Sequence, residues 1–156
     1  MAEPEYLNDR ERRAWHGFLT MQEELRRHMN RQLLGASGLS LADFSVLSAL
    51  SQSPDGSLRV FELRELLRWE KTRLTHQVSR MVTRGLVERR SSREDARGNV
   101  VALTGQGRSA IELATPLHVN HVRRVFFDAI SPRQVDALAA VSEAVLQALQ
   151  DEPIED

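Results

Sequence analysis

The chain has 156 residues, 41% hydrophobic and 28% charged, with a net charge of −1, the size and mix of one globular domain rather than of a disordered chain. It contains no cysteine, which excludes disulfide scaffolds, thiolate zinc sites, cysteine nucleophiles and thiol redox sensing. No apolar run approaches the roughly 20 residues of a membrane span and no signal-peptide pattern opens the sequence, so the cytoplasm is the expected compartment.

Asn8, with Glu11 three residues on, has capping-box spacing. Trp15, Phe18, Leu19, Leu25, Met29 and Leu33 then recur at helical intervals, predicting a long first helix to about Leu34. Gly35-Ala36-Ser37-Gly38 breaks it. Ser40 and Asp43 start a second helix carrying Leu41, Phe44, Leu47 and Leu50, and Ser53-Pro54-Asp55-Gly56 is a turn by composition. Leu58-Arg59-Val60 has the length of an edge strand at most. Phe61–Leu67 reads as a short helix. After a break near Trp69 a further helix runs from about Glu70 to Arg84, with Gly85 placed as its C′ residue. Two strand-like runs, Leu86–Arg90 and Asn99–Leu103, flank a polar connection, predicting a β-hairpin. Thr104 caps a long helix to about Ala129, with Pro116 as a kink or break. Ser131-Pro132 opens the last helix, whose stripe is Val135, Leu138, Val145 and Leu149.

The near-zero net charge hides a division. Residues 59–98 hold eleven basic against six acidic residues, a balance of +5, whereas residues 1–58 balance to −2 and residues 99–156 to −4. A basic middle between acidic flanks suggests a polyanion-binding module. Residues 61–84 have the form of a helix-turn-helix, and the hairpin that follows makes it a winged variant. Leu74, Val78 and Met81 fix the core face of the second helix. The opposite face collects Thr72, Thr75, His76, Ser79 and Thr83, flanked by Arg73 and Arg80. Hydroxyls and imidazole can bond base edges, and guanidinium can take guanine or phosphate. Lys71, Arg84, Arg90 and Arg93 extend the basic surface. At the hairpin tip Arg97, steadied by Asp95, could enter a minor groove.

The stretch Gly85-Leu86-Val87-Glu88-Arg89, then Asp95-Ala96-Arg97, then Leu103-Thr104, resembles the wing signature of the MarR family of winged-helix transcriptional regulators. Arg73-Leu74-Thr75-His76-Gln77-Val78 is similar to the start of that family's recognition helix. Helix order and length agree across nearly the whole chain. The departure is the turn Arg68-Trp69-Glu70-Lys71, which carries a bulky Trp and no glycine. Trp69 either packs under the recognition helix or lies against the DNA backbone. The resemblance implies a mainly α, α+β winged-helix fold: six helices, a two- to three-stranded β-wing, and long terminal helices. It also implies a single domain over residues 1–156, with a DNA-binding lobe at about 40–103 and a dimerisation region at about 5–34 and 104–150. The implied function is a homodimeric repressor of a pseudo-palindromic double-stranded operator, released by a small organic ligand of phenol or carboxylate type.

The family's usual ligand pocket would here draw on Trp15, His16, Leu19, Phe44, His118 and Val122, with Trp15 and Phe44 otherwise core residues. His118 and His121, at i and i+3 on one helix, could face one metal ion, but no acidic residue stands close in sequence. The rivals are therefore a metal-sensing regulator and a DNA-independent helical interaction protein. An enzyme is not expected: the sequence holds no Gly-rich phosphate loop, HExxH or GxSxG, and Gly105-Gln106-Gly107 lacks the rest of a dinucleotide fingerprint. No cofactor is implied.

Overall fold

A computed structural model of the chain describes residues 6–91 and 99–152. The order of elements is α1 (Asp9–Ser37), α2 (Leu41–Gln52), β1 (Ser57–Arg59), α3 (Val60–Leu67), α4 (Lys71–Thr83), β2 (Val87–Ser91), β3 (Asn99–Leu103), α5 (Gly105–Val125), a 3-10 turn Phe127–Ala129, and α6 (Pro132–Asp151). This is the expected mainly α winged helix. Two compact units divide it, Met1–His118 and Val119–Asp156.

Helix boundaries in the first unit follow from capping chemistry. Asn8 and Glu11 close a reciprocal capping box on α1, and Ser40 and Asp43 do the same on α2. Helix α1 runs through Gly35 and stops only at Gly38, whose φ of 72° is the left-handed conformation that glycine adopts without penalty. Helix α4 ends in a full Schellman motif. Gly85 adopts φ 76° and donates to the Val82 carbonyl, while Leu86 N–H donates to the Met81 carbonyl, and both Met81 and Leu86 are buried.

Helix α2 is the centre of this unit. Phe44, Val46, Leu47 and Leu50 are all buried, and Leu33, Leu63, Leu74, Val78, Met81 and Val101 close around them. Each such aliphatic side chain contributes about 1.5–3 kcal/mol on leaving water. The segment at Leu58 is indeed an edge strand. β1 pairs antiparallel with β3 through Leu58 opposite Val101, and β3 pairs with β2 through Arg89 opposite Val101, giving the order β1-β3-β2.

The wing is closed at its base by Thr104. Its hydroxyl donates to the Gly85 carbonyl at 2.6 Å and accepts from Gly107 N–H at 3.0 Å, so one side chain joins the end of α4 to the start of α5. Gly107 is fixed by close packing: a Cβ there would overlap the Leu86 carbonyl oxygen. That is the structural role of the Gly105-Gln106-Gly107 run.

Helix α5 is continuous through Pro116, so of the expected kink or break the break does not occur, and the helix gives way at Val125 to the 3-10 turn. In the second unit Ser131 and Gln134 form a capping box with Pro132 in the first turn of α6. No residue of α6 is buried, and Val141, Val145, Leu146 and Leu149 stand exposed. Helix α1 similarly exposes Trp15, Phe18 and Leu19. No single helix among the described residues is long and apolar enough to cross a membrane.

Candidate nucleic-acid interface

Helix α4 divides as its periodicity predicts. Leu74, Gln77, Val78 and Met81 are buried, while Lys71, Thr72, Arg73, Thr75, His76, Ser79, Arg80 and Thr83 are exposed. The exposed groups are not equally free. Thr75 Oγ donates to the Lys71 carbonyl at 2.9 Å and Thr83 Oγ to the Ser79 carbonyl at 3.1 Å, so both protons are committed to the helix itself. Such back-bonding leaves a threonine hydroxyl as an acceptor only. Ser79 Oγ accepts from Arg89 Nη2 at 2.9 Å and keeps its own proton for an outside acceptor. The same Arg89 nitrogen reaches the Thr75 carbonyl at 3.4 Å, so a side chain of β2 ties the wing to the exposed face of α4.

Each guanidinium around α4 is steadied by a different partner. Arg73 lies over the Trp69 ring, 4.1 Å from its centroid, a cation–π contact that orients the group without using up its N–H donors. Trp69 is half-buried and packs against the core. Arg80 Nη2 donates to Gln77 Oε1 at 3.0 Å. Arg90 pairs with Glu88 on its own strand.

Arg84, expected on a phosphate, has an intramolecular partner as well: Nη1 donates to Asp43 Oδ2 at 2.6 Å and Nη2 to the Gly38 carbonyl at 3.1 Å, while nearly half of its side chain stays exposed. Asp43 is nearly fully buried and also accepts from Ser40 N–H and from Gln77 Nε2 at 2.6 Å. Burial pushes its carboxyl up. Hydrogen bonds from Arg84 and Ser40, together with the Arg84 charge, outweigh burial and hold it below the usual carboxylate range. Sequence reading took Asp43 as a helix cap and missed this second role. The available signal was Gln77, a polar residue three positions from Leu74 on the apolar face of α4, which needs a buried partner.

The turn between α3 and α4 explains the missing glycine. Arg68 itself takes the left-handed conformation, φ 56°, the sole non-glycine residue to do so among those described. Such a backbone costs an L-residue about 1–2 kcal/mol. The expected tip residues Arg93, Asp95 and Arg97 lie outside the described residues.

The residues expected to line a ligand pocket lie on α1, α2 and α5. Phe44 is core and stacks on His118, with ring centroids 4.4 Å apart. Trp15 packs on Phe18 along α1 and is half exposed, and His16 and Leu19 are exposed on the same helix. Val122 belongs to the second unit and is half-buried there. A surface cleft of about 380 Å³, lined by Ser51, Arg108, Ile111, Glu112, Thr115 and Pro116, includes none of the six. Among the described residues no group of three or more His, Asp or Glu could hold a metal ion. His121 is held within its own helix, its Nδ1 3.1 Å from Arg124 Nη2.

The sequence profile of the MarR family matches residues 37–98, which run from the end of α1 through β2 and stop just before β3. A stretch of 95 residues, 61% of this chain, is 26% identical to the HTH-type transcriptional regulator PrsX of Escherichia coli and spans 57% of that protein. Two solved structures are similar over almost the full length. A DNA complex of Sco3205, a MarR family transcriptional regulator from Streptomyces coelicolor, is 30% identical with a TM-score of 0.91, covering 98% of this chain and 97% of that one. AbsC, a MarR family transcriptional regulator from the same organism, is 30% identical with a TM-score of 0.89, covering 96% and 100%. The transcriptional regulator MosR of Mycobacterium tuberculosis, also solved with DNA, is 28% identical with a TM-score of 0.69 over 86% and 97%. These relatives are regulators and not enzymes. With the split face of α4, the wing tied to it through Arg89 and Ser79, and near-complete overlap with two members, the chain belongs to the MarR family of winged-helix transcriptional regulators.

Proposed function

We propose that the protein is a cytoplasmic, homodimeric, sequence-specific DNA-binding repressor. The observation that carries this reading is α4: one face is sealed into the core by Leu74, Val78 and Met81, and the other presents Thr72, His76 and Ser79 between Arg73, Arg80 and Arg89. A helix of that cross-section fits a major groove roughly 12 Å wide. Thr72, Thr75, His76 and Ser79 read base edges. Lys71, Arg73, Arg80, Arg90 and Arg93 contact the backbone or guanine, and Arg97, braced by Asp95, enters the adjoining minor groove. The lobe over about 40–103 binds DNA, and the segments at about 5–34 and 104–150 bring two copies together.

Support for the dimer comes from α1 and α6, whose apolar stripes face solvent in the single chain. Amphipathic helices of this kind gain their stability by burying the stripe. Two-fold pairing sets the recognition helices about one DNA turn apart, ~34–36 Å, on a pseudo-palindromic operator. The effector, a small phenol or carboxylate, follows from the family resemblance.

The test begins with selection of duplexes from a random-sequence pool by the purified protein, followed by gel shift and sedimentation. A pseudo-palindromic consensus bound by one dimer is expected. Recovery of no consensus, or a dilute folded monomer, refutes the reading. A panel of aromatic acids that leaves the complex intact removes the effector from it.

A further inference from the structure

Arg80 is the cation on the exposed face of α4 whose holder is itself buried. Gln77, 3% exposed, lies between Arg80 outside and Asp43, 4% exposed, inside. An amide is a two-ended group: its NH2 only donates and its oxygen only accepts. Ionised Asp43 only accepts, so it requires the NH2 of Gln77, which turns the amide oxygen outward. A guanidinium only donates, so that outward oxygen is the end Arg80 needs. The reversed amide would set oxygen against carboxylate and NH2 against guanidinium. Asp43 is itself fixed by Ser40 N–H at 2.9 Å and Arg84 Nη1 at 2.6 Å. Polarity therefore runs in one direction, from the α1–α2 junction through a carboxylate and an amide to a cation on the DNA-facing helix.

We infer that Gln77 is a positioning residue for DNA recognition, its buried amide holding the Arg80 guanidinium in place and its direction set by Asp43. The inference rests on the DNA-binding reading above. One N–H of Arg80 meets Gln77, and the remaining donors are left for a phosphate or a guanine edge. A pre-oriented guanidinium loses less side-chain freedom on binding than a loose one. Gln77 touches no DNA in this arrangement, so its whole contribution to affinity passes through Arg80.

A double-mutant cycle on Gln77→Met and Arg80→Ala tests this, using the duplex selected by the wild-type protein at one fixed salt concentration. Methionine approximates the volume of glutamine and has neither end of the amide. Gln77→Met should weaken binding about 5-fold when Arg80 is present and less than about 2-fold in the Arg80→Ala background, the signature of two residues acting as one. Equal losses in both backgrounds overturn the inference while leaving the DNA-binding reading intact. A wild type that binds no selected duplex overturns both. Urea titration checks that the variants are folded at the assay temperature.

If Gln77→Met does not fold, Asp43→Asn takes its place in the cycle. The amide introduced there satisfies Ser40 and Arg84 only by offering them its oxygen. Its NH2 then turns towards Gln77 and reverses the Gln77 amide, so the same coupling to Arg80 is expected. A readout without DNA accompanies either variant: 15N–1H exchange spectra of the free wild-type protein should show hindered rotation of the Arg80 guanidinium, released in the variant. Free rotation in the wild type overturns the inference.

Discussion

Replacing Arg84 by methionine keeps most of its aliphatic stem and removes the charge facing Asp43. In the wild type the Asp43 side chain is 6% exposed and that of Arg84 45%. Loss of Arg84 thus strands the buried partner of the pair. Breaking a fully buried pair costs about 3–5 kcal/mol. Here Ser40 N–H and Gln77 Nε2 still bond the carboxylate, and nearly half of the Arg84 side chain was hydrated from the start, so about 2 kcal/mol at pH 7 is expected. The pH dependence is the sharper reading. Asp43 in the wild type titrates below its ordinary value, so its contribution is present above the unfolded carboxylate pKa and is lost as pH falls through the lower folded value. In Arg84→Met burial, the largest influence, is no longer opposed by the Arg84 hydrogen bond and charge, and the folded pKa moves upward. Protonation then relieves the variant and not the wild type. The stability difference between the two should shrink by about half or more from pH 7 to pH 3. Urea unfolding of both proteins, at one protomer concentration because of the dimer, measures it. A difference that is constant over this range, or absent at pH 7, refutes the assignment of Asp43 and Arg84 as a stabilising pair.

Gly107→Ala places a methyl group on the Leu86 carbonyl oxygen, and the forced separation of α5 from the wing base should cost about 2–3 kcal/mol in a thermal or urea melt. Arg68→Gly removes the left-handed strain at the α3–α4 turn but adds chain entropy to the unfolded state, for a net gain of about 0.5 kcal/mol by the same assays. His76→Ala should cost about 1–3 kcal/mol on the selected duplex and much less on random DNA, measured by titration at fixed salt; full retention of preference would mean that other residues read the bases. Arg97→Ala should lower the slope of log K against log salt by about one unit, and an unchanged slope removes the hairpin tip from the interface.

Local signals in the sequence carried the elements and their ends. Asn8 with Glu11, Ser40 with Asp43, Ser131 with Pro132, and Gly85 act within a few residues of where they stand, and each closes the helix boundary that its chemistry implies. The rotation of α4 was equally legible, because Leu74, Val78 and Met81 must face the core whatever surrounds them. At Pro116, where a kink or a break was expected, α5 runs on without a break. What the tertiary structure decided are the partnerships of the charges. Arg84 and Arg89 are alike in a one-dimensional reading, both basic and both beside the wing. Folding places Arg84 41 residues from its partner Asp43 in sequence and Arg89 ten residues from Ser79. One guanidinium bonds a buried carboxylate and the other a hydroxyl on the exposed face of α4. Charge acts over distance and has no period, so no pattern along the chain records which cation meets which carboxylate. Apolar periodicity is imposed by the helix itself and can be read before the chain folds.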